Sequence, residues 1–130
     1  MRIIDLPKIL DPRGNLTFLQ NNAQIPFEIK RTYWIYDVPG GEERGSHALK
    51  STEEIIIALS GSFDVTIHDG KKEHCISLNR SYKGIYVPPM HWRKINNFST
   101  NSVALVIAST FFDNNDYLRD FDEFISQTKV

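Results

Sequence analysis

The chain is dominated by short runs of β-type residues, which recur about every ten residues and are separated by turn residues. Asp69-Gly70 stands between two of these runs and is a strong hairpin signal, because both residues tolerate positive φ. Many short strands at this spacing favour an antiparallel β-barrel or jelly roll. The predicted strands are residues 2–5, 15–20, 29–37, 53–59, 62–68, 73–78, 84–87, 92–97 and 102–109.

Side-chain alternation indicates which of these strands are covered. Phe63, Val65 and Ile67 alternate with polar residues, so their strand should bury one face. Residues 55–59 are apolar throughout, which predicts a central strand covered on both faces. Only the tail is typical of a helix, because apolar residues recur every three or four positions over residues 115–125. The sequence therefore predicts an all-β domain, an antiparallel jelly-roll barrel with a short C-terminal helix.

Length, charge and cysteine content exclude several classes of protein. A chain of 130 residues is one domain's worth, so we expect a single domain over residues 1–130. Lys and Arg number 15 against 16 Asp and Glu, which argues against a nucleic-acid partner. The single cysteine, Cys75, excludes an intrachain disulfide and a Cys-based zinc cage. No apolar run reaches the length of a signal peptide or membrane span, so we expect a cytoplasmic protein without a membrane partner.

One block of the chain has the spacing of the first motif of the cupins, a family of β-barrels. That motif is Gly, five residues, His-x-His, three or four residues, Glu, six residues and Gly. Gly41, His47, Glu54 and Gly61 stand at these intervals, and Leu49 occupies the place of the second histidine. The spacing of the motif is thus kept while one of its metal ligands is lost.

A second block, residues 88–97, has the spacing of the other cupin motif, but Arg93 stands where that motif has histidine. The cupin metal site takes three histidines and one carboxylate from the two motifs, and this chain retains only His47 and Glu54. A permanently protonated guanidinium cannot bind a metal and would repel one. We therefore expect no metal site, and a barrel mouth that offers a histidine and an arginine to an anionic ligand.

Cationic and aromatic side chains surround the two motifs. The cations that are expected to converge at one barrel mouth are Arg31, Arg44, Lys50 and Arg93. The aromatic residues on nearby strands are Tyr33, Trp34, Tyr36, Tyr86 and Trp92. Arginine binds phosphate oxygens in bidentate fashion and aromatic faces stack on rings, so this combination suits a ligand with a diphosphate, a base and a sugar.

Six segments, taken in order, resemble the sugar-nucleotide 3,4-ketoisomerases of the WxcM-like cupin group. They include RGSHALK and DYLRDFDEF, and they span residues 11–20, 25–45, 44–50, 58–70, 78–93 and 116–124. The resemblance implies a homodimeric jelly-roll enzyme without metal or other cofactor. It implies that the chain moves the keto group of TDP-4-keto-6-deoxyglucose from carbon 4 to carbon 3, for deoxysugars of bacterial surface glycans.

The chain departs from this family at one position that matters for the chemistry. The family's usual segment carries two histidines associated with proton transfer, and here His47 matches the first while Leu49 replaces the second. Three interpretations stay open: an isomerase with one histidine, a TDP-sugar-binding protein without turnover, and an epimerase on the same scaffold.

Ketone migration requires a base with a pKa near neutral and donors aimed at the enediolate. We assign His47 the acid/base role, Arg31 and Arg44 the phosphate or enediolate contacts, and Tyr33 a proton relay. Glu54 is assigned to a sugar hydroxyl, and Arg93 either to the ligand or to a structural salt bridge. The remaining predicted substrate contacts are Lys50, Tyr86 and Trp92.

Overall fold

Two five-stranded antiparallel sheets face each other in the computed structural model, which describes residues 1–129. The strands are β1 (Arg2–Asp5), β2 (Lys8–Ile9), β3 (Leu16–Thr17), β4 (Arg31–Tyr36), β5 (Arg44–Leu49), β6 (Glu54–Ser60), β7 (Phe63–His68), β8 (Glu73–Leu78), β9 (Lys83–Val87), β10 (Trp92–Asn96), β11 (Val103–Ala108) and β12 (Tyr117–Leu118). The first sheet has the order β1-β9-β6-β11-β4 and the second the order β12-β5-β10-β7-β8. Strands β2 and β3 form a separate two-stranded sheet.

The main core lies between the two sheets. It joins Ile56 and Ile85 of the first sheet to Val65 and Ile95 of the second, all of which are fully buried. The outer face of the first sheet carries a second cluster, in which Phe27 of the N-terminal segment covers strand β6. Residues 55–58 are buried on both faces, as predicted, but Leu59, the last residue of the predicted run, is 52% exposed.

A single α-helix, α1 (Phe121–Thr128), packs on the outer face of the second sheet. It begins at Phe121 because the Asp120 side chain accepts hydrogen bonds from the amides of Asp122 and Glu123, a standard N-cap. Phe124 is its fully buried residue and contacts Trp92. The prediction of an all-β jelly roll with one short C-terminal helix is confirmed. Within residues 1–129, no helix is long and apolar enough to span a membrane.

Three local predictions were wrong. The helix predicted over residues 115–125 begins late, because Asn114–Asp116 form a 3₁₀ turn and Tyr117–Leu118 pair as β12 with β5. The strand predicted over residues 15–20 is only the two residues Leu16–Thr17. Strand β5, which carries RGSHAL, was not predicted because its polar residues and its glycine hide the alternation.

Candidate active site

His47 lies on β5 with its ring inside the barrel, opposite Arg93 on β10. Its ring packs on Tyr117, with 4.8 Å between the ring centroids. The Nε2 atom is buried and has no hydrogen-bond partner in the part of the chain that the structure describes. Burial, followed by the charges of Arg93, Arg119 and Arg31, lowers the pKa of His47 from 6.5 to about 2. The imidazole is therefore neutral at physiological pH and has a free nitrogen lone pair, but its pKa lies far below the near-neutral value expected for a catalytic base.

Next to His47, three side chains form a closed hydrogen-bonded cluster. Arg93 Nε donates to Glu54 Oε1 over 2.9 Å, and Arg93 Nη2 donates to Glu54 Oε2 over 3.2 Å. The Tyr33 hydroxyl donates to Glu54 Oε2 over 2.5 Å and accepts from Arg93 Nη2 over 2.7 Å. The Arg93 and Glu54 side chains are only 1% and 2% exposed. The arginine and the carboxylate are thus an internal ion pair with the phenol bound to both.

The titration behaviour of this cluster follows from its burial and its charges. Burial acts to lower the pKa of Arg93, but the charges of Glu54 and Tyr33 outweigh it and raise the value. Burial raises the pKa of Tyr33 far above 10.0, with Arg93 opposing and Glu54 adding to the rise. Arg93 therefore stays cationic and Tyr33 stays protonated across the working pH range.

The cluster also bears on metal binding at the cupin positions. Both oxygens of Glu54 already accept hydrogen bonds, and a guanidinium fills the place of a cupin metal ligand. Across residues 1–129, no group of three His, Cys, Asp or Glu side chains is placed to hold a metal ion. Glu54 is thus engaged in an internal ion pair with Arg93, which lies opposite His47.

Arg31, at the start of β4, supplies a second cation to the same region. Its guanidinium lies over the rings of Tyr33 and Phe112, at 5.5 Å and 5.6 Å from their centroids. Its Nε and Nη1 atoms are buried and have no hydrogen-bond partner among the described residues. Buried donors of this kind are rarely left unsatisfied in a native protein unless a ligand or water completes them. Arg31 is therefore suited to hold an anionic oxygen.

One wall of the site comes from the segment before α1, here called the cap segment (residues 113–119). Tyr117 packs on both His47 and Phe112, and the Arg119 guanidinium lies 4.3 Å from the centre of the Tyr117 ring. Asp116 is buried and fixes the segment, because its carboxylate accepts from the Ser51 amide and hydroxyl and from the Thr52 hydroxyl.

The sequence-based prediction did not identify Phe112, Tyr117 or Arg119 as site residues, since residues 115–125 were taken as a helix. The spacing of two of these residues in the sequence could have identified them. Tyr117 and Arg119 are two residues apart, the period that places side chains on one face of an extended chain. This wall of the site was not predicted, because so short a run of residues is compatible with both an extended and a helical conformation.

Two of the predicted substrate contacts lie outside the barrel. Tyr86 is on the outer face of the first sheet, where its hydroxyl donates to Glu53 and its ring contacts Arg2. Burial, with the bond to Glu53 and the charge of Glu53, raises the pKa of Tyr86 to about 12. Trp92 is on the outer face of the second sheet, against Phe121 of α1. Each neighbours an inward-facing residue in sequence, and the alternation of a strand turns it away from His47.

The other two predicted cations, Lys50 and Arg44, are exposed. Lys50 Nζ donates to the carbonyl of Asn115 at the edge of the cap segment. Arg44 lines a surface pocket of about 430 Å³ together with Trp34 and Tyr36. The predicted residues that the structure brings together are therefore His47, Glu54, Arg93, Tyr33 and Arg31.

Comparison with known proteins agrees with this architecture. A curated relative from Aneurinibacillus thermoaerophilus, TDP-4-oxo-6-deoxy-alpha-D-glucose-3,4-oxoisomerase, is 41% identical over 123 residues, which are 95% of this chain and 88% of the relative. A 3,4-ketoisomerase from Helicobacter canadensis has a solved structure with a TM-score of 0.96 and 40% identity, covering 99% of this chain and 97% of the other.

A third similar structure contains a bound sugar nucleotide. It is a histidine-to-asparagine variant of the QdtA 3,4-ketoisomerase from Thermoanaerobacterium thermosaccharolyticum, in complex with TDP-4-keto-6-deoxyglucose. It has a TM-score of 0.96 and 34% identity, over 98% of this chain and 93% of the other. The family model described as FdtA, WxcM-like, C-terminal, matches residues 1–129. With that match over nearly its whole length, the chain belongs to the FdtA family of WxcM-like proteins.

Proposed function

We propose that this chain is a sugar-nucleotide 3,4-ketoisomerase that moves the keto group of TDP-4-keto-6-deoxyglucose from carbon 4 to carbon 3. The observation that carries the proposal is His47, a neutral imidazole with a buried, unpartnered Nε2 inside the described barrel. The curated relative and the neighbouring solved structures, which are named as enzymes of this reaction class, support the same activity.

The diphosphate end of the substrate is assigned to arginine. The buried and unpartnered Nε and Nη1 atoms of Arg31 are suited to anionic oxygens. The QdtA structure with TDP-4-keto-6-deoxyglucose supports a TDP-linked ligand for this chain. Arg119, stacked on Tyr117, adds a second cation on the cap segment.

The chemical step is a proton transfer between adjacent carbons. His47 removes the proton from carbon 3 of the 4-keto sugar, and the electron pair forms the carbon–carbon double bond of an enediol as the carbonyl oxygen takes up a proton. The imidazolium of His47 then protonates carbon 4, and the proton lost from the carbon 3 hydroxyl balances the one taken up at the carbon 4 oxygen, which gives the 3-keto product.

Tyr33 is less suited to the relay role that we expected for it. Its only hydroxyl proton is donated to Glu54, and its oxygen accepts from Arg93. Release of that proton to a substrate would break the bond to Glu54 and leave a buried phenolate. In the mechanism that we propose, Tyr33 therefore stays protonated and His47 carries the proton.

Leu49 favours one alternative function, which is binding of a TDP-sugar without turnover. Its side chain is buried and shares the inward face of β5 with His47, so a second imidazole is missing from that face. A protein of this kind would bind TDP-sugar at Arg31 and leave it unchanged.

NMR of the products formed from TDP-4-keto-6-deoxyglucose separates these functions. A 3-keto-6-deoxyhexose product supports the isomerase. A 4-keto product inverted at a neighbouring carbon would indicate an epimerase, and an unchanged sugar together with thermal stabilisation by TDP would indicate a binding protein. Ligand at 100 times its Kd adds about 2.7 kcal/mol of stability, so binding is readily detected.

We further propose that the enzyme works without a cofactor, as a homodimer in the cytoplasm, and that its product enters the synthesis of bacterial surface glycans. If the enzyme works without a metal cofactor, it should keep full activity after exhaustive dialysis against a metal chelator. Recovery of the protein in the membrane fraction of lysed cells would contradict the proposed location. Conversion of the product to an amino sugar by an added aminotransferase would support the pathway.

A further inference from the structure

We propose that Arg93 and the backbone of Gly45 together form a positioning device that sets the place of the His47 imidazole. This role goes beyond the ion pair between Arg93 and Glu54, and its kinetic part rests on the proposed isomerase activity. It also differs from substrate binding by Arg93, because the guanidinium is 1% exposed and faces protein groups.

The first observation is an irregularity in the strand that carries His47. Strand β10 pairs with β5 so that Arg93 faces His47, but Ile95 faces Arg44. Two residues on β10 therefore correspond to three on β5, which places one extra residue at Gly45-Ser46. Such β-bulges occur next to active sites, where they redirect a side chain. Here the bulge ends directly before His47.

The second observation links this bulge to Arg93. Arg93 Nη1 donates to the carbonyl of Gly45 over 2.8 Å, while the rest of the guanidinium is bonded to Glu54 and Tyr33. One buried side chain thus ties the first sheet, through Glu54 and Tyr33, to the bulge on the second sheet. The carbonyl that accepts this hydrogen bond belongs to Gly45, two residues before His47 in the chain.

The third observation is that the bulge has room for no side chain. Gly45 has φ of +71°, a region that favours glycine. A methyl group built on it would overlap Nη1 of Arg93 and would lie 3.9 Å from Cε1 of His47. Because four hydrogen bonds hold the guanidinium in a fully buried site, it is not free to move aside.

These observations explain why a costly buried ion pair is present. Such pairs contribute little net stability compared with apolar residues, and fixing one specific geometry is a role that can retain them. The bonds of Arg93 fix the bulge at Gly45, and the bulge fixes the direction in which His47 enters the barrel. Arg93 acts on the reaction through His47 and does not touch the substrate.

The Gly45→Ala variant tests the device, with Gly41→Ala as the matched control. Both glycines have positive φ, but nothing lies within 4 Å of a methyl group built on Gly41. We expect Gly45→Ala to lower kcat by about 10-fold to 100-fold, with KM and the Kd for TDP changed less than about twofold, because a displacement near 1 Å costs that much rate. Gly41→Ala should keep the wild-type kcat. Equal kcat in the two variants would overturn the proposal.

A double-mutant cycle keeps the test valid if Gly45→Ala folds poorly. Arg93→Lys keeps the charge but loses the planar fork, and it should lower kcat while TDP binding persists. In Gly45→Ala/Arg93→Lys the shorter side chain makes room for the methyl group, so the double variant should be no slower than Arg93→Lys alone. Additive losses, or an Arg93→Lys variant that loses TDP affinity at unchanged kcat, would contradict the positioning role.

A third measurement does not depend on activity. The chain has four histidines, and the spectrum of His47→Asn identifies the ring signals of His47. The ring signals of His47 should shift in Gly45→Ala and Arg93→Lys, while those of His68, His74 and His91 stay in place. Unchanged His47 signals in both variants would refute the device. If the wild type fails to convert the keto-sugar but its His47 signals respond in this way, the proposed function fails and the positioning role stands.

Discussion

At the scale of single residues, the neutral state of His47 has a direct consequence for stability. In the folded chain its pKa is about 2, compared with the ordinary value of 6.5. Between these values the unfolded chain binds a proton that the folded chain does not, so stability rises with pH in this window and is constant above it. We predict that the wild type loses about 1 kcal/mol of unfolding free energy per pH unit below 6.5, relative to His47→Asn.

Urea unfolding of the two proteins at pH 7.5 and 5.5 measures this difference. Every other titratable group is present in both proteins, so their contributions cancel to first order. A stability difference that stays the same at both pH values would show that His47 titrates normally in the folded chain.

Leu49 gives a second prediction at the same scale. The inward face of β5 carries His47 and Leu49, so Leu49→His places a second imidazole beside the first. We predict a rise in kcat of at least tenfold, a typical gain for one well-placed acid or base. Leu49→Asn, which adds polarity without a base, serves as the control. An equal kcat for Leu49→His and the wild type would mean that His47 alone suffices for proton transfer.

The residues predicted from the sequence divide by which face of a strand they occupy. His47, Glu54 and Arg93 met inside the barrel because the cupin spacing encodes their relative positions. Tyr86 and Trp92 did not join them, since the residue after or before an inward-facing one points outward. The sequence shows which aromatic residues lie near a site, but only the strand register shows which face of the sheet each of them occupies.

At the scale of structural elements, the cap segment is held mainly by Asp116. Its buried carboxylate accepts three hydrogen bonds from Ser51 and Thr52. In Asp116→Asn, one oxygen becomes an amide that no longer accepts, so we predict a loss of about 1 to 3 kcal/mol in unfolding free energy. KM for the sugar nucleotide should rise as well, because Tyr117 and Arg119, which form one wall of the site, come directly after Asp116 in the chain.

The matched control for this prediction is Asp113→Asn, at the start of the cap segment. Asp113 is exposed and accepts from the Asn115 amide, a role that asparagine also performs. Thermal and urea unfolding should show a change of less than about 0.5 kcal/mol for this variant. If Asp116→Asn is equally mild, the segment is fixed by its strand pairing and not by the carboxylate.

Most elements could be predicted from the local sequence pattern. The elements that could not be predicted share a common cause. Strands such as β1 and β8 matched their predicted bounds because their β-type runs are flanked by turn residues. Besides the two-residue strand β2, which is too short to show a pattern, strands β5 and β12, which pair with each other, were missed. Their extended conformation depends on partners distant in sequence and on the bulge at Gly45, so local propensity carries little information about them.

At the scale of the whole molecule, the outer face of the first sheet is unusually apolar for a surface. Trp34, Tyr36 and Leu59 are 59%, 60% and 52% exposed there. An exposed patch of this kind commonly marks an interaction surface. We predict a homodimer that buries this face, with a sedimentation mass twice the 15.0 kDa of the chain.

Trp34→Glu tests the predicted dimer by placing a charge in the middle of the patch. Sedimentation velocity should show a shift from dimer to monomer for this variant at micromolar concentration. Phe111→Glu is the control, because Phe111 is 71% exposed but contacts Lys30 away from the patch. A monomeric wild type, or a Trp34→Glu variant that stays dimeric, would refute the predicted interface.

The most direct test of the whole account is deuterium uptake from heavy water during incubation with TDP-4-keto-6-deoxyglucose. We predict a 3-keto product that carries deuterium at carbon 4, formed by the wild type and suppressed by at least about 100-fold in His47→Asn, within the range for loss of a positioned acid or base. Equal deuterium uptake by the two proteins would contradict the central role of His47. Absence of both product and exchange in wild type saturated with the keto-sugar would contradict the isomerase itself.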